Sequence, residues 1–233
     1  MTVQFAIAPH TIAVQGHAAD GNTPPRPVPL SKALIWRAFD IVVAAAILIV
    51  ALPFLIVLAV LFFVADPGPL FFVHRRIGCA GRSFGCIKFR TMKVNGDEIL
   101  REHLLVSHSA RREWAETQKL RNDPRITPIG AIARKLSLDE FPQLINVLRG
   151  QMSIVGPRPI VESEAQRYGR YFEHYCQVKP GLTGLWQISG RNDTTYNERI
   201  ALDVRYVSRK SLLLDTWLVI MTVPAVLFAR GSY

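Results

Sequence analysis

Two adjacent carboxylates, Asp139 and Glu140, are the side chains of this sequence that are best placed for chemistry. A short apolar run with helical spacing follows them and ends at Gly150, and Ser137 stands ahead of Glu140 at the spacing of a capping box, which predicts a helix start. Arg134 lies just upstream, and a helix N-terminus flanked by arginine favours a bound phosphate. Two carboxylates there can divide the work, one attacking phosphorus and the other holding a divalent cation.

Helix capping is the alternative role for this pair. Acidic side chains are common near helix starts because they accept hydrogen bonds from free N–H groups and complement the helix dipole. Capping does not explain the arginines around the pair, however. One of these is Arg158, whose neighbours Pro157 and Pro159 restrict the backbone and present the guanidinium on a stiff loop. The whole stretch therefore predicts a phosphate site.

The motifs SLDEFPQLINVL (residues 137–148) and MSIVGPRP (residues 152–159) resemble those of the bacterial polyprenyl-phosphate phosphoglycosyl transferases. These are monotopic sugar transferases that start exopolysaccharide and capsule repeat units. The resemblance extends from about residue 37 to the C-terminus, and it implies that Asp139 is a covalent nucleophile and that Glu140 binds Mg²⁺. RGSY at residues 230–233 and WAET at residues 114–117 resemble the exopolysaccharide-initiating galactosyl-1-phosphate transferases, which favours galactose as the sugar.

Further basic and polar residues match family motifs beside the active site. Lys88 and Arg90, in the KFRTM motif, are the best candidates for phosphate contact, although each could instead belong to a basic face that touches anionic lipid. Trp186 and Gln187 could bind a sugar by stacking and hydrogen bonding, or pack as part of a surface loop. The predicted substrate- and phosphate-binding residues are Arg76, Lys88, Arg90, Arg134, Arg158, Gln187 and Arg191, the predicted catalytic residues are Asp139 and Glu140, and the predicted metal ligand is Glu140.

The composition combines a positive charge with high apolar content. The formal net charge is +10, and 49% of the residues are hydrophobic. This pairing favours a membrane surface or phosphate-bearing substrates, with nucleic acid as the rival anion. The three cysteines show no C-x-x-C spacing and the histidines no H-x-x-x-H spacing, so that neither disulfides nor zinc are predicted and a reducing cytosolic face is expected.

An uncharged apolar segment covers residues 41–64 and contains Pro53. A straight helix of this length would reach about 36 Å, which exceeds the roughly 30 Å of a hydrocarbon core. Pro53 favours a kink, however, and basic residues flank both ends, with Lys32 and Arg37 before the segment and Arg75 and Arg76 after it. The positive-inside rule then places both ends in the cytoplasm. We therefore predict a helix that enters the membrane, bends and leaves on the same face, as the resemblance to the family also implies.

The fold is predicted to be mainly α with a small β-hairpin, in a monotopic membrane protein with a Pro-kinked re-entrant helix and a cytoplasmic catalytic domain. The start of that helix matches a family pattern at residues 37–40, with Trp36 where the family usually has lysine. The predicted elements are strands at residues 70–77 and 83–90, helices at 97–120 and 161–177, and an apolar C-terminal helix from 212 that lies in the interface or core. The predicted division is a disordered segment at 1–30, the re-entrant helix at 31–66 and the catalytic domain at 67–233.

The resemblance implies an enzyme on the cytoplasmic face of the bacterial inner membrane. It would use Mg²⁺ and transfer a sugar-1-phosphate, with galactose-1-phosphate favoured by the motifs above, from a UDP-sugar to undecaprenyl phosphate with release of UMP. The alternatives are glucose or another UDP-sugar as donor. The expected partners are the two substrates and inner-membrane lipids, with a homo-oligomer and downstream glycosyltransferases as candidates and no nucleic acid. A rival from another class is a non-catalytic basic membrane protein that binds anionic lipid or nucleic acid, but it gives no role to Asp139 and Glu140.

Overall fold

The computed structural model of the protein describes residues 30–189 and 194–227. The predicted disordered segment, apart from its last residue, and the predicted site residue Arg191 lie outside this part of the chain. The helices are α1 Leu30–Ala65, α2 Gly96–Val106, α3 His108–Thr117, α4 Pro128–Lys135, α5 Gln143–Leu148, α6 Glu162–Tyr168, α7 Phe172–Cys176, α8 Leu185–Ile188, α9 Tyr196–Arg209 and α10 Leu212–Leu227. The strands are β1 Phe71–Ile77, β2 Ser83–Phe89, β3 Ser153–Val155 and β4 Gly181–Thr183. The prediction of a mainly helical fold with a small hairpin is confirmed.

The hairpin pairs β1 with β2 in antiparallel register, with Phe71 opposite Phe89 and Ile77 opposite Ser83. Between the strands the chain turns through Ala80 and Gly81, both of which have positive φ. Glycine adopts that conformation without the steric cost that a side chain adds. The hairpin places the predicted site residues of its two strands on one rigid element.

A second, two-stranded sheet, which the sequence did not predict, pairs β3 with β4 in parallel. The backbones approach so closely that a Cβ on Gly181 would lie 2.0 Å from the amide nitrogen of Gly156. Any larger residue at either position would push the strands apart. This contact fixes the start of the loop that carries Arg158 against the chain segment that leads into α8.

The main hydrophobic core lies between α1, α5, the second sheet, α9 and α10. Its fully buried side chains pack at close distances, so the elements that carry the site residues form one body. They are Ala44, Cys86, Leu144, Val147, Met152, Ile154, Val155, Tyr206 and Leu218.

The N-terminal half of α1 is hydrogen-bonded to this core. The guanidinium of Arg37 donates to the carbonyl of Val147 at 2.6 Å and so satisfies an acceptor at the C-terminal end of α5, where helical carbonyls lack partners within the helix. The buried carboxylate of Asp40 accepts from the hydroxyl of Ser153 at 2.7 Å and from the amide of Ile154 at 2.9 Å. These contacts fix the entry of α1 against α5 and β3.

The C-terminal end of α1 packs against the hairpin of the same domain. The ring of Phe62 lies 5.5 Å from that of Phe89, and the carboxylate of Asp66, just after the helix, pairs with Arg90 at 2.9 Å. Between the two anchored ends many of the apolar side chains are exposed, with 74% exposure at Ile49 and 73% at Phe54. In the described part of the chain, Ala33–Ala65 is the one stretch long and apolar enough to cross a membrane.

The predicted capping box is wrong. Ser137 has a left-handed backbone (φ 56°) and its side chain caps nothing. Asp139 and Glu140 lie in a short 3₁₀ turn, Leu138–Glu140, and α5 begins only at Gln143. The physical reason is Pro142, which is favoured at a helix start but would break a hydrogen bond inside a longer helix.

Two other predicted elements differ from the structure. The helix expected at 97–120 is divided at Ser107, whose extended backbone ends α2 and whose hydroxyl accepts from the amide of Ala110 to cap α3. The loop expected around Trp186 contains β4 and the short α8. The helical stretch at 161–177 and the C-terminal apolar helix are confirmed, as α6 with α7 and as α10.

Trp36, at the position where the family usually has lysine, connects α1 to α10. Its indole N–H donates to the buried carboxylate of Asp215 at 2.9 Å, and the hydroxyl of Tyr206 donates to the same group at 2.9 Å. The ammonium of Lys210 lies 5.5 Å from the centre of the Trp36 ring. Trp36 thus lies between α10 and a lysine from the segment between α9 and α10.

Candidate active site

A cleft lies between the hairpin, the turn that holds the dyad, the loop after β3, and α8. It brings together most of the predicted site residues, which come from four separate segments of the chain. The lining side chains that matter for chemistry are Arg76, Lys88, Glu140, Arg158, Trp186 and Gln187.

The hairpin supplies the two cations of one end of the cleft. Lys88 on β2 pairs with the carboxylate of Glu140 at 2.6 Å. Arg76 on β1 donates to the carbonyl of Pro159 at 3.2 Å and lies 3.7 Å from the carboxylate of Glu164. Because each cation also bonds to an element outside the hairpin, their positions are fixed relative to the dyad.

Asp139 lies behind Glu140 and is 8% exposed. Its burial, and then the charge of Glu140, raise the pKa of Asp139 to about 6, while Lys88 and Arg134 act in the opposite direction. At neutral pH the group is therefore ionised but poorly hydrated. A carboxylate in this state is a better nucleophile than one surrounded by water.

Arg134 supports the dyad from outside the cleft lining. Its Nε donates to the hydroxyl of Thr91 at 2.7 Å. Its charge opposes the rise in the pKa of Asp139 that burial and Glu140 cause. Arg90, by contrast, is directed away from the dyad: it forms an ion pair with Asp66 at the end of α1. The structure thus gives Arg90 an anchoring contact, and the predicted phosphate contact of this residue has no support in the geometry.

The other end of the cleft is built around an indole. The guanidinium of Arg158 lies 5.3 Å from the centre of the Trp186 ring, and that of Arg199, on α9, lies 4.8 Å from it. The amide oxygen of Gln187 is buried there and has no hydrogen-bond partner among residues 30–189 and 194–227. A buried acceptor without a donor is costly and suits a site that receives an O–H or N–H group from a ligand.

Sequence reasoning missed Arg199 and Lys119. Arg199 lies in an amphipathic helix and belongs to no motif that marks a site, so nothing in the sequence distinguishes it from the other arginines of α9. The sequence does mark Lys119, because the basic segment that it begins after α3 leads into the dyad motif. Burial, and then the charge of Arg158, lower the pKa of each.

The donor set fits Mg²⁺ bound together with a substrate. Mg²⁺ in phosphate-transfer sites is usually held by one or two carboxylates and by substrate oxygens. Glu140 reaches the cleft and Asp139 is its neighbour, so Glu140 would hold the ion. No group of three or more His, Cys, Asp or Glu side chains within residues 30–189 and 194–227 forms a preformed metal site.

A carboxylate dyad facing several cations, on a domain joined to a long apolar helix, defines an enzyme that handles phosphate groups near a membrane. The chain belongs to the bacterial sugar transferase family, whose model matches residues 31–229. This confirms the family recognised from the motifs, and with it the assignment of the chain as a phosphoglycosyl transferase.

Three relatives illustrate the range of the family. The chain is 52% identical over 198 residues to the exopolysaccharide production protein ExoY of Rhizobium meliloti. The matched region covers 84% of this chain and 87% of that protein. It is 47% identical over 203 residues to the undecaprenyl-phosphate galactose phosphotransferase of Salmonella typhimurium, covering 87% and 42%. It is 39% identical over 199 residues to the UDP-glucose:undecaprenyl-phosphate glucose-1-phosphate transferase of Escherichia coli, covering 82% and 39%. The chain thus spans less than half of the latter two proteins.

Proposed function

We propose that the protein transfers galactose-1-phosphate from UDP-galactose to undecaprenyl phosphate and releases UMP, as the first step of exopolysaccharide repeat-unit assembly. The observation that carries the proposal is the cleft in which Glu140, the neighbour of the buried Asp139, meets Lys88, Arg76 and Arg158. The choice of galactose is supported by the higher identity to the Salmonella relative, named for galactose, than to the Escherichia relative, named for glucose. Family membership argues against the non-catalytic alternative.

The reaction would proceed in two displacements at phosphorus. The carboxylate of Asp139 attacks the phosphorus that bears the sugar, the bond from that phosphorus to the UMP oxygen breaks, and UMP leaves with the electron pair. An oxygen of the acceptor phosphate then attacks the same phosphorus, and the bond to Asp139 breaks to restore the carboxylate. This route divides one difficult transfer into two easier ones. Its support here is the buried, ionised state of Asp139.

The cations around the dyad would stabilise the charge that develops on the phosphate oxygens. Lys88 acts as a point charge, whereas Arg76 and Arg158 offer planar forks that match phosphate geometry. Because the surrounding protein holds all three in place, little reorganisation is needed during the reaction. Mg²⁺ held by Glu140 would, when bound, neutralise charge on the diphosphate.

The membrane arrangement that we propose is a re-entrant α1 on the cytoplasmic face of the inner membrane. A straight helix of 36 residues would be about 54 Å long. The Arg37 end bonds to α5 and the Asp66 end bonds to Arg90 after the hairpin, while the apolar middle near Pro53 is exposed. A helix that dips into one leaflet fits these contacts. It would hold the cleft at headgroup depth, where a lipid phosphate can meet a soluble nucleotide sugar.

The proposed function is tested by supplying both substrates. Purified protein in lipid nanodiscs with undecaprenyl phosphate and Mg²⁺ is expected to release UMP, and fastest with UDP-galactose in a panel of UDP-sugars. A metal chelator is expected to abolish release, since Mg²⁺ held by Glu140 would supply the charge that neutralises the diphosphate. Failure to release UMP with any UDP-sugar would contradict the function, and a preference for UDP-glucose would contradict the sugar alone.

The first displacement is expected to lose rate below about pH 6. Protonation of Asp139 removes the nucleophile, so the single-turnover rate of UMP release should fall about tenfold per pH unit below its pKa of about 6. If the nucleophile were an aspartate with an ordinary pKa, the rate would stay unchanged down to about pH 4. Because the folded state binds this proton more tightly than the unfolded chain does, protonation between about pH 6 and 4 favours the fold, so the loss of rate is not unfolding.

Asp203 provides the control for this pH profile. It is buried, hydrogen-bonded to the hydroxyl of Tyr168 at 2.8 Å, and burial raises its pKa to about 7. In Asp203→Asn, the single-turnover rate of UMP release is expected to fall with pH with the same midpoint, near pH 6. If the midpoint disappears in Asp203→Asn, the titration belongs to Asp203 and the assignment to Asp139 is wrong.

A further inference from the structure

Arg76 is held at the cleft by contacts with three segments of the chain. Its Nη1 donates to the carbonyl of Pro159 at 3.2 Å and lies 3.7 Å from the carboxylate of Glu164. Its Nη2 lies 3.1 Å from Nδ1 of His74, which faces the same side of β1 because the two residues are two positions apart on the strand. Of the described residues, those that line the cleft include Arg76 but not His74, and His74 has no part in the mechanism above.

The direction of the hydrogen bond between Arg76 and His74 follows from the chemistry of the two groups. A guanidinium has N–H donors and no acceptor, so Nδ1 of His74 must be the acceptor. The imidazole then carries its proton on Nε2 and is neutral, because an imidazolium donates from both nitrogens. Burial, and then the charges of Arg76 and Lys88, lower the pKa of His74, whereas Glu164 acts in the opposite direction. The surroundings of the ring therefore favour the neutral state at neutral pH.

A neutral acceptor can fix a guanidinium without cancelling its charge. A carboxylate in the place of the imidazole would pair with Arg76 and offset the charge that attracts a phosphate. Both Nη atoms of Arg76 meet neutral acceptors, the carbonyl of Pro159 and the ring of His74. Glu164 is more distant, and the same carboxylate oxygen also accepts from the amide of Val161 at 3.0 Å. Because a guanidinium has five N–H groups, donors remain for a ligand in the cleft.

We propose that His74 is a positioning residue, whose neutral imidazole holds Nη2 of Arg76 and, together with the carbonyl of Pro159, sets the plane of the guanidinium toward a phosphate in the cleft. This inference rests on the proposed function. His74 acts through Arg76 and contributes to the affinity for a diphosphate. The alternative is a packing role, since the His74 ring also lies 5.9 Å from the ring of Phe72.

The test measures the binding of UDP by calorimetry, with the full chain in lipid nanodiscs and without acceptor. His74→Leu removes the acceptor and is expected to weaken UDP binding about tenfold, the scale of one hydrogen bond to a charged group. His74→Asn is expected to recover most of the affinity, because its amide oxygen accepts without carrying a charge. His74→Asp also offers an acceptor, but its charge would offset that of Arg76, so its affinity is expected to stay low. Melting temperatures of all variants are compared with that of the unaltered protein.

A double-mutant comparison shows whether His74 acts through Arg76. In the Arg76→Gln protein, His74→Leu is expected to cause no further loss of UDP affinity, because the guanidinium that the ring positions is already absent. His108→Leu is the matched control, since His108 is exposed on α3 and lies outside the residues that line the cleft. It is expected to leave UDP affinity unchanged.

Several results would overturn the inference. They are an equal loss from His74→Leu with and without Arg76, no recovery in His74→Asn, full recovery in His74→Asp, and the absence of UDP binding by the unaltered chain. A second measurement is independent of any ligand: the nitrogen NMR shifts of the His74 ring at neutral pH are expected to show an unprotonated Nδ1, and a proton on that atom would reject the proposal. Neither measurement needs sugar transfer, so both remain decisive if the chain releases no UMP and the proposed function fails.

Discussion

Asp139→Asn is expected to reduce the release of UMP from UDP-sugar by a factor on the order of 10⁴ or more, the scale seen when a covalent nucleophile is removed. Asparagine keeps the size of the side chain but is neutral and a poor nucleophile. The fold is expected to remain, because the substitution removes a charge from a position that is only 8% exposed. The measurement is UMP formation, with the melting temperature compared between the two proteins. Activity within a few-fold of the unaltered protein would reject the covalent role.

The same experiment distinguishes two displacements from one. With UDP-sugar alone, the unaltered protein is expected to release one UMP per active site and to carry a sugar-phosphate on the peptide that contains Asp139, detectable by mass spectrometry. Asp203→Asn changes another buried carboxylate whose pKa is raised by burial, and it is expected to keep this adduct. A strict requirement for acceptor before any UMP appears would favour direct transfer.

Local motifs predicted the part of the site that local structure builds. The alternation of apolar and basic residues at Phe71–Ile77 and Ser83–Phe89 predicts the hairpin, and the hairpin carries Arg76 and Lys88 to the cleft. Arg158 is also presented as predicted, because the prolines on either side restrict the same short segment. In each case the information lies within a few residues of the side chain concerned.

The predictions failed where position depends on an element boundary or on packing between distant segments. Lys88 and Arg90 would share one face of a continuing strand, but β2 ends at Phe89, so Arg90 turns to Asp66 instead. Likewise, α5 was predicted to begin at the dyad, but Pro142 precedes its first residue, so the helix begins after the dyad. Arg199 reaches Trp186 only because α9 packs on α8, a tertiary contact that no spacing in the sequence reveals.

The contacts at the two ends of α1 lead to an all-or-none prediction about topology. Single cysteines introduced at Ser31 and at Asp97, both exposed, are expected to resist a membrane-impermeant thiol reagent in intact cells. Both should react once the inner membrane is opened. The reason is that Arg37, near the first site, and Asp66, which precedes the second, bond to one and the same domain, so both ends must lie on the side of the membrane that holds this domain.

The native cysteines determine the background for this labelling experiment. Cys79 and Cys176 are partly exposed and must be replaced, whereas Cys86 is 1% exposed in the core and can stay. Keeping Cys86 avoids a cavity beneath the hairpin that carries the site. The doubly substituted protein without an added cysteine is the control and should not react before or after the membrane is opened. Reaction at the Ser31 site alone in intact cells would show that α1 crosses the membrane, and the contacts of Arg37 and Asp40 with the catalytic domain could not then persist in the bilayer.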